Sequence, residues 1–475
     1  MEHSKLSQHK FKKGKFVTPF NELEGLREDS WFKDNLPEYI WIGLIIKVFG
    51  KKDGLNICAS IIKHITFFGI NLNTLRLSDV FSLKASYQRQ FWLYVKSLVG
   101  LKTLNPLSVL FTFSEQPVFS EIFNDGSIDY EERLFAIKNI VQDMADHQSY
   151  LSTDVRFIIL YYQIAKGKMQ FVDGTHEEIF RYPNLSHDDE EMKLASSIVR
   201  SAEMSVRGMY KKNYVYLNRF WENLSRMTDC KMFFIEYKED NKDADIILEK
   251  YKKLLSYYAE IFTTIYTFDE KTEVLLGIAT YSFKRFSELV THNLYNEISG
   301  RSIIRVLIEN YIMLKYLLNN ESSHDNIWNE FKQYGIGQYK LIALRKEEKY
   351  SNVELSNSHV QYDYLHLLVK EHKDEEFTDM ETNYFNKASI REKAIEVGEK
   401  ELFDLYYDYD SAFEHGLWGA IRESSMLRCD ESCHQFHIVP DVNNEQKMKS
   451  VWDDCVKTMD KIFSVLESIY GSPSK

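Results

Sequence analysis

RSIIRVLIENYIMLKYLL, residues 301–318, is apolar over most of its helical surface. Its polar exceptions include Arg301, Arg305 and Glu309, spaced i, i+4, i+8, so they form one stripe. With its remaining faces this apolar, the helix belongs near the centre of a domain. Charge carried there needs partners, because an unpaired charge away from water is costly. The stripe therefore reads in two ways, as a structural ion pair or as part of a functional site.

The rest of the chain agrees with a helical architecture. Over 475 residues there are 7 Pro and 19 Gly, few turn-formers for that length, which favours long helices over many short strands. Hydrophobic residues make up 44%, enough for large cores, and 30 Tyr and 31 Phe supply bulky filling. LPEYIWIGLIIKVFG (36–50) reads as a helix opened by Pro37 and closed by Gly50. Further helical patterns fall at 54–68, 86–99, 129–146, 149–166, 189–212 and 213–227. A loop is expected over Tyr182–Asp189, and a charged connector, EYKEDNKDAD, at 236–245. Helices follow at 246–267, 270–297, 300–319, 324–348, 390–427 and 446–470, with a polar, helix-containing excursion at 351–386. The expectation is a mainly α protein: a flexible basic arm at 1–20, a multi-helix N-terminal domain at 21–235 and a C-terminal helical-bundle domain at 246–475.

Net charge is −12, unevenly spread. Residues 1–235 carry 30 Lys+Arg and 28 Asp+Glu; residues 236–475 carry 29 and 43. An acidic half repels phosphate backbones in general, so contact with RNA needs a local patch or the N-terminal half. Residues 1–235 are also the candidate surface for a protein partner. Five cysteines, no leader-like apolar run after the early lysines and no membrane-length apolar stretch point to a reduced, cytoplasmic protein. Walker A, dinucleotide GxGxxG, HExxH and nucleophile-elbow GxSxG patterns are all absent from the sequence.

Chemistry-bearing residues concentrate in YYDYDSAFEHGLWGAIRESSMLRCDESCHQFHIVP, residues 406–440. Tyr407, Ser411 and His415 share a helical face, and a histidine near carboxylates suits general acid–base work. Cys429, Cys433, His434 and His437 lie within nine residues. They can be read as a zinc cluster, although four ligands so close in sequence require a tight turn. The other reading makes them buried cysteines plus histidines that serve beside His415. Three segments also match the loose Arg-x4–6-His pattern of HEPN ribonucleases: Arg181 to His187, Arg285 to His292 and Arg428 to His434. The second has the better helical placement.

Over about 246–445 the chain resembles a bacterial family known as a domain of unknown function. The resemblance rests on Arg305-x3-Glu309 with Tyr316-Leu317, on Tyr407-x3-Ser411-x3-His415, and on Cys429 followed by His434-x2-His437-x2-Pro440. Where that family has Asn-Pro before the first histidine of the last motif, this chain has Glu431-Ser432-Cys433. The resemblance implies an α-helical, HEPN-like domain of the kind found in antiviral defence, with a homodimer by analogy. Its sharpest functional form is a toxin or antiviral effector, a metal-independent ribonuclease. His415 would be general acid/base, His434 or His437 a second one, Arg305 the cation on developing phosphate charge and Glu309 its orienting partner. Two alternatives stand beside it: a sensor or adaptor without enzymatic activity, and a zinc-dependent hydrolase.

Overall fold

The computed structural model describes residues 5–19, 29–124, 126, 128–169, 175–207, 210–238, 243–264, 269–350, 352 and 358–473. The protein is mainly α and divides into two compact units. Unit 1 comprises Met1–Phe233 together with Arg428–Ile438; unit 2 comprises Phe234–Leu427 and Val439–Lys475. Residues 1–4 and 20 of the expected arm, 239–242 of the connector and 351 and 353–357 of the excursion lie outside the described residues. Among the described residues, no helix is long and apolar enough to cross a membrane.

Unit 1 is organised by the helical run Leu36–Phe67, which is broken at Gly50 (φ 76°, ψ 170°). The two helices expected there meet at this residue, and only glycine adopts that conformation without strain. Every side chain from Leu36 to Ile46 is buried, as befits a helix apolar all round. The run packs against helices Tyr130–Ala145 and Tyr150–Ala165, and the latter against Met192–Arg207. Trp41 meets Phe91 and Trp92 edge-on at 5.8 and 6.0 Å, while its indole nitrogen donates to the Leu75 carbonyl at 3.1 Å. Within the arm, Lys10–Lys12 and Lys15–Val17 pair as an antiparallel hairpin. Lys13 and Gly14 supply its positive-φ turn at 47° and 77°.

In unit 2 the helix Ile298–Asn320 is central. It packs against Glu270–Thr291, Ile390–Glu396, Asp408–Glu414 and Trp452–Tyr470. At its start a Cβ on Gly300 would lie 2.2 Å from the Leu294 carbonyl oxygen, so this close approach requires glycine. The single helix expected over 390–427 does not form. Ile390–Glu396, Lys400–Leu402, a π-helical turn Phe403–Tyr407, Asp408–Glu414 and Trp418–Ser425 replace it. Gly398 (φ 76°) and Gly416 (φ 56°) terminate helices in the left-handed conformation, a stop signal that outweighs the apolar periodicity. After residue 425 the strand Met426–Cys429 pairs antiparallel with Met232–Phe233. The helix expected from 446 starts at Trp452, because the Asp441 carboxylate accepts from the backbone of Glu445 and Gln446 and holds that segment as a turn.

One buried charge in unit 1 makes a testable signature. Glu38 accepts hydrogen bonds from the Ser78 backbone nitrogen and hydroxyl at 2.9 and 2.7 Å. Burial nevertheless dominates and pushes its carboxyl from 4.5 up to about 7. A raised folded-state pKa gives stability that is complete below the ordinary carboxylate value and lost as pH rises through 7. Glu38→Gln keeps both partners and removes the titration. Urea denaturation at pH 4.5 and pH 8 should show the wild type losing on the order of 2 kcal/mol more than the variant. Parallel behaviour of the two proteins would show that Glu38 does not titrate in this range.

Candidate functional site

Four of the predicted residues converge in unit 2. Arg305 Nε donates to Ser411 Oγ at 3.0 Å and Nη2 donates to the Tyr407 hydroxyl at 2.6 Å. Tyr407 in turn donates to Glu309 Oε2 at 3.0 Å, and Tyr384, which sequence reasoning did not single out, donates to Glu309 Oε1 at 2.8 Å. Arg305 Nη1 lies 3.6 Å from Glu309, and the guanidinium covers the Tyr407 ring at 4.6 Å. Burial and the Glu309 carboxylate hold the Tyr407 hydroxyl above the ordinary phenol range, so it stays a donor. The π-helical turn Phe403–Tyr407 delivers Tyr407 and the following helix delivers Ser411. The network is closed on itself: each arm of Arg305 already has a partner.

His415 follows Ser411 by one turn, at the C-terminal end of Asp408–Glu414, and is exposed. Its ring enters no hydrogen bond or ion pair among the described residues. On the same helix Asp410 is buried and raised to about 7, chiefly by desolvation, with Arg301 opposing. Arg301 is itself buried and donates to the Lys449 carbonyl at 2.6 Å.

The three Arg-x4–6-His pairs separate by geometry. Arg181 is tied to Glu191, while His187 bonds Asp154 at 3.1 Å and stacks on Tyr150. Arg428 pairs with Asp430 at 3.2 Å, and His434 is engaged elsewhere, as described below. Arg285 and His292, in contrast, line one cleft of about 360 Å³ together with Glu288, Ser299 and Ser302. Arg285 Nη1 donates to Glu288 at 2.6 Å, and its Nε is buried without a hydrogen-bond partner. A guanidinium on a cleft wall suits an anionic oxygen. A larger cleft of about 850 Å³ in unit 2 holds a Glu273–Lys332 pair at 2.6 Å, but its lining includes no histidine, serine or cysteine.

His434 and His437 do not join the Arg305 network; they belong to unit 1, in the segment Arg428–Ile438. There His434 Nδ1 lies 3.3 Å from Cys230 Sγ and 3.7 Å from Cys429 Sγ, and His437 Nε2 lies 3.5 Å from Cys230 Sγ. The register that sets Met232 opposite Cys429 brings Cys230 to this place. Gln435 (φ 57°) and Phe436 (φ 49°) both take the left-handed conformation, which turns His437 back toward His434. For such side chains this costs on the order of 1 kcal/mol each, a strain that persists only where the surroundings demand it. Cys433 points away into the unit 1 core, and burial pushes its thiol up to about 12. Cys230 is the residue that sequence reasoning missed. Nothing near it in sequence marks it, since its partners lie about two hundred residues away.

Residues 274–434 match a family described as a family of unknown function (DUF5677). No curated protein and no solved structure matches the chain. The match covers the Arg285–His292 cleft, the Arg305 network and the cysteine–histidine segment as far as His434.

Because the Arg305 network is satisfied internally, its first measurable role is stability. Arg305→Ala leaves Glu309 with its two tyrosine donors but no countercharge, and should destabilise unit 2 by about 1–3 kcal/mol in chemical denaturation. Arg305→Lys should recover less than half of this, because an ammonium cannot reproduce the fork that meets Ser411 and Tyr407 together. An alanine variant as stable as the wild type would show that the network contributes nothing.

Proposed function

We propose that unit 2 is a HEPN-like ribonuclease that cuts RNA without a metal, and that Arg285 and His292 are its working pair. The observation that carries this reading is their shared cleft, which both side chains line together with Glu288, Ser299 and Ser302. Six residues separate the two, within the spacing that HEPN ribonucleases use.

The chemistry follows from the side chains. His292 takes the proton from a ribose 2′-hydroxyl, and the 2′ oxygen attacks the adjacent phosphorus. The bond from phosphorus to the 5′ oxygen breaks, and solvent protonates the leaving oxygen. Arg285, oriented by Glu288, stabilises the charge that develops on the non-bridging oxygens, with Ser299 and Ser302 as further donors. The products are a 2′,3′-cyclic phosphate and a 5′-hydroxyl. DNA, lacking the nucleophile, is not a substrate. This assignment moves the acid–base role to His292, away from the exposed His415 and from His434 and His437, which are engaged with thiols. In a cell such an activity would act as a toxin or an antiviral effector.

The test is cleavage of end-labelled single-stranded RNA by the full chain in the presence of a chelator. The expected result is cyclic-phosphate ends, intact DNA, and a loss of about 10²–10⁴-fold in His292→Ala and Arg285→Ala. His415→Ala should retain activity. RNA left intact by the wild type, or cut equally well by the His292 variant, would overturn the assignment. Tight RNA binding without cleavage would favour the sensor reading.

A further inference from the structure

Independently of the ribonuclease reading, we infer that Cys230, Cys429, His434 and His437 form a structural zinc site in unit 1. Their ligand atoms all lie within 4.8 Å of one another. A tetrahedral zinc ion with ordinary bond lengths to sulfur and nitrogen sets its sulfur–nitrogen edges at about 3.6 Å. Three of the four sulfur–nitrogen separations, 3.3, 3.5 and 3.7 Å, bracket that edge, and the fourth, Cys429 to His437, lies within 4.8 Å.

The ring nitrogens that face away are already occupied, and in the sense a metal requires. His434 Nε2 donates to the Thr228 carbonyl at 2.8 Å, which leaves Nδ1 with its lone pair toward the thiols. His437 Nδ1 donates to the His434 carbonyl at 3.2 Å, which leaves Nε2 likewise. Backbone carbonyls that fix the imidazole tautomer are the usual outer support of zinc-bound histidines. The backbone ties together the segments that carry the ligands: Cys429 N donates to His437 O at 2.8 Å, and Asp430 N, next to Cys429, donates to the carbonyl of Lys231, next to Cys230, at 2.6 Å.

Two thiolates and two imidazoles complete a tetrahedron, so no position is left for an activated water. The ion would hold structure rather than perform hydrolysis. It would fasten Arg428–Ile438 to the end of the first 233 residues, a link between segments almost two hundred residues apart in sequence. Cys433, buried in the apolar core, is excluded from the set even though it lies beside His434.

The experiment is elemental analysis of full-length protein purified without chelator, paired with Co2+ binding to the metal-free protein. The expected result is one zinc per chain and, with Co2+, the visible bands of a tetrahedral site plus a thiolate-to-metal charge-transfer band. Cys230→Ser, at an exposed position, should lose the zinc and the charge-transfer intensity. Cys433→Ser should keep both. Zinc lost in Cys433→Ser but retained in Cys230→Ser would overturn the ligand assignment. Metal-free protein that gives no thiolate–cobalt band, or a Cys230–Cys429 disulfide in freshly purified protein, would overturn the site itself.

Discussion

Arg305 sits on a helix whose neighbours cover most of its surface, and removing a guanidinium from water without partners costs several kcal/mol. Arg305 is largely covered, and side chains from two other segments of unit 2 meet that demand. Tyr407 and Ser411 must both reach the same side chain, and Tyr384 must reach Glu309 behind it. An uninterrupted helix over 390–427 does not form; the chain turns at Gly398, widens into a π-helical turn and stops at Gly416. The glycines set where the helix breaks, and the segments between them carry Tyr407 and Ser411 to the polar stripe of the central helix.

A network closed in this way is poor ground for catalysis, since each donor already has an acceptor. Reactive capacity lies where a polar group is left without a partner. In unit 2 the buried polar atoms without a partner include Arg285 Nε, Arg301 Nε and Thr378 Oγ1, and of these residues Arg285 lines a cleft with His292. The same criterion separates the cysteines. Cys433 is packed among apolar side chains, whereas Cys230 and Cys429 face imidazole nitrogens whose other ring positions are spoken for.

The helices were legible in the sequence because apolar periodicity and stop signals act locally. Pro37 and Gly50 bound the first long helix, and its break falls at that glycine. The stripe Arg301, Arg305, Glu309 and the face Tyr407, Ser411 were legible for the same reason, since i, i+4 spacing places side chains together wherever the helix goes. The end of helix was legible to within two residues, at 427 against Ser425, but the strand that follows was not. Its residues have no strong bias against helix, and only pairing with Met232–Phe233 extends them. His434 and His437 were visible as candidates, but the unit to which they belong was not.

By itself the sequence determined a mainly α chain, the polar stripe on its central helix and the family-like motifs around it, because each depends on neighbours within a turn or two. The tertiary structure alone decided the grouping of side chains from distant segments. It tied Arg305 to Tyr384, Tyr407 and Ser411, and gave Arg285 and His292 one cleft. It also returned residues 428–438 to the first unit, where Cys230 completes what CxxxCHxxH could not. The physical reason is that a tetrahedron of ligands, like a buried ion pair, is a constraint on distances in space, and strand pairing between residues two hundred apart meets it where adjacency in sequence does not.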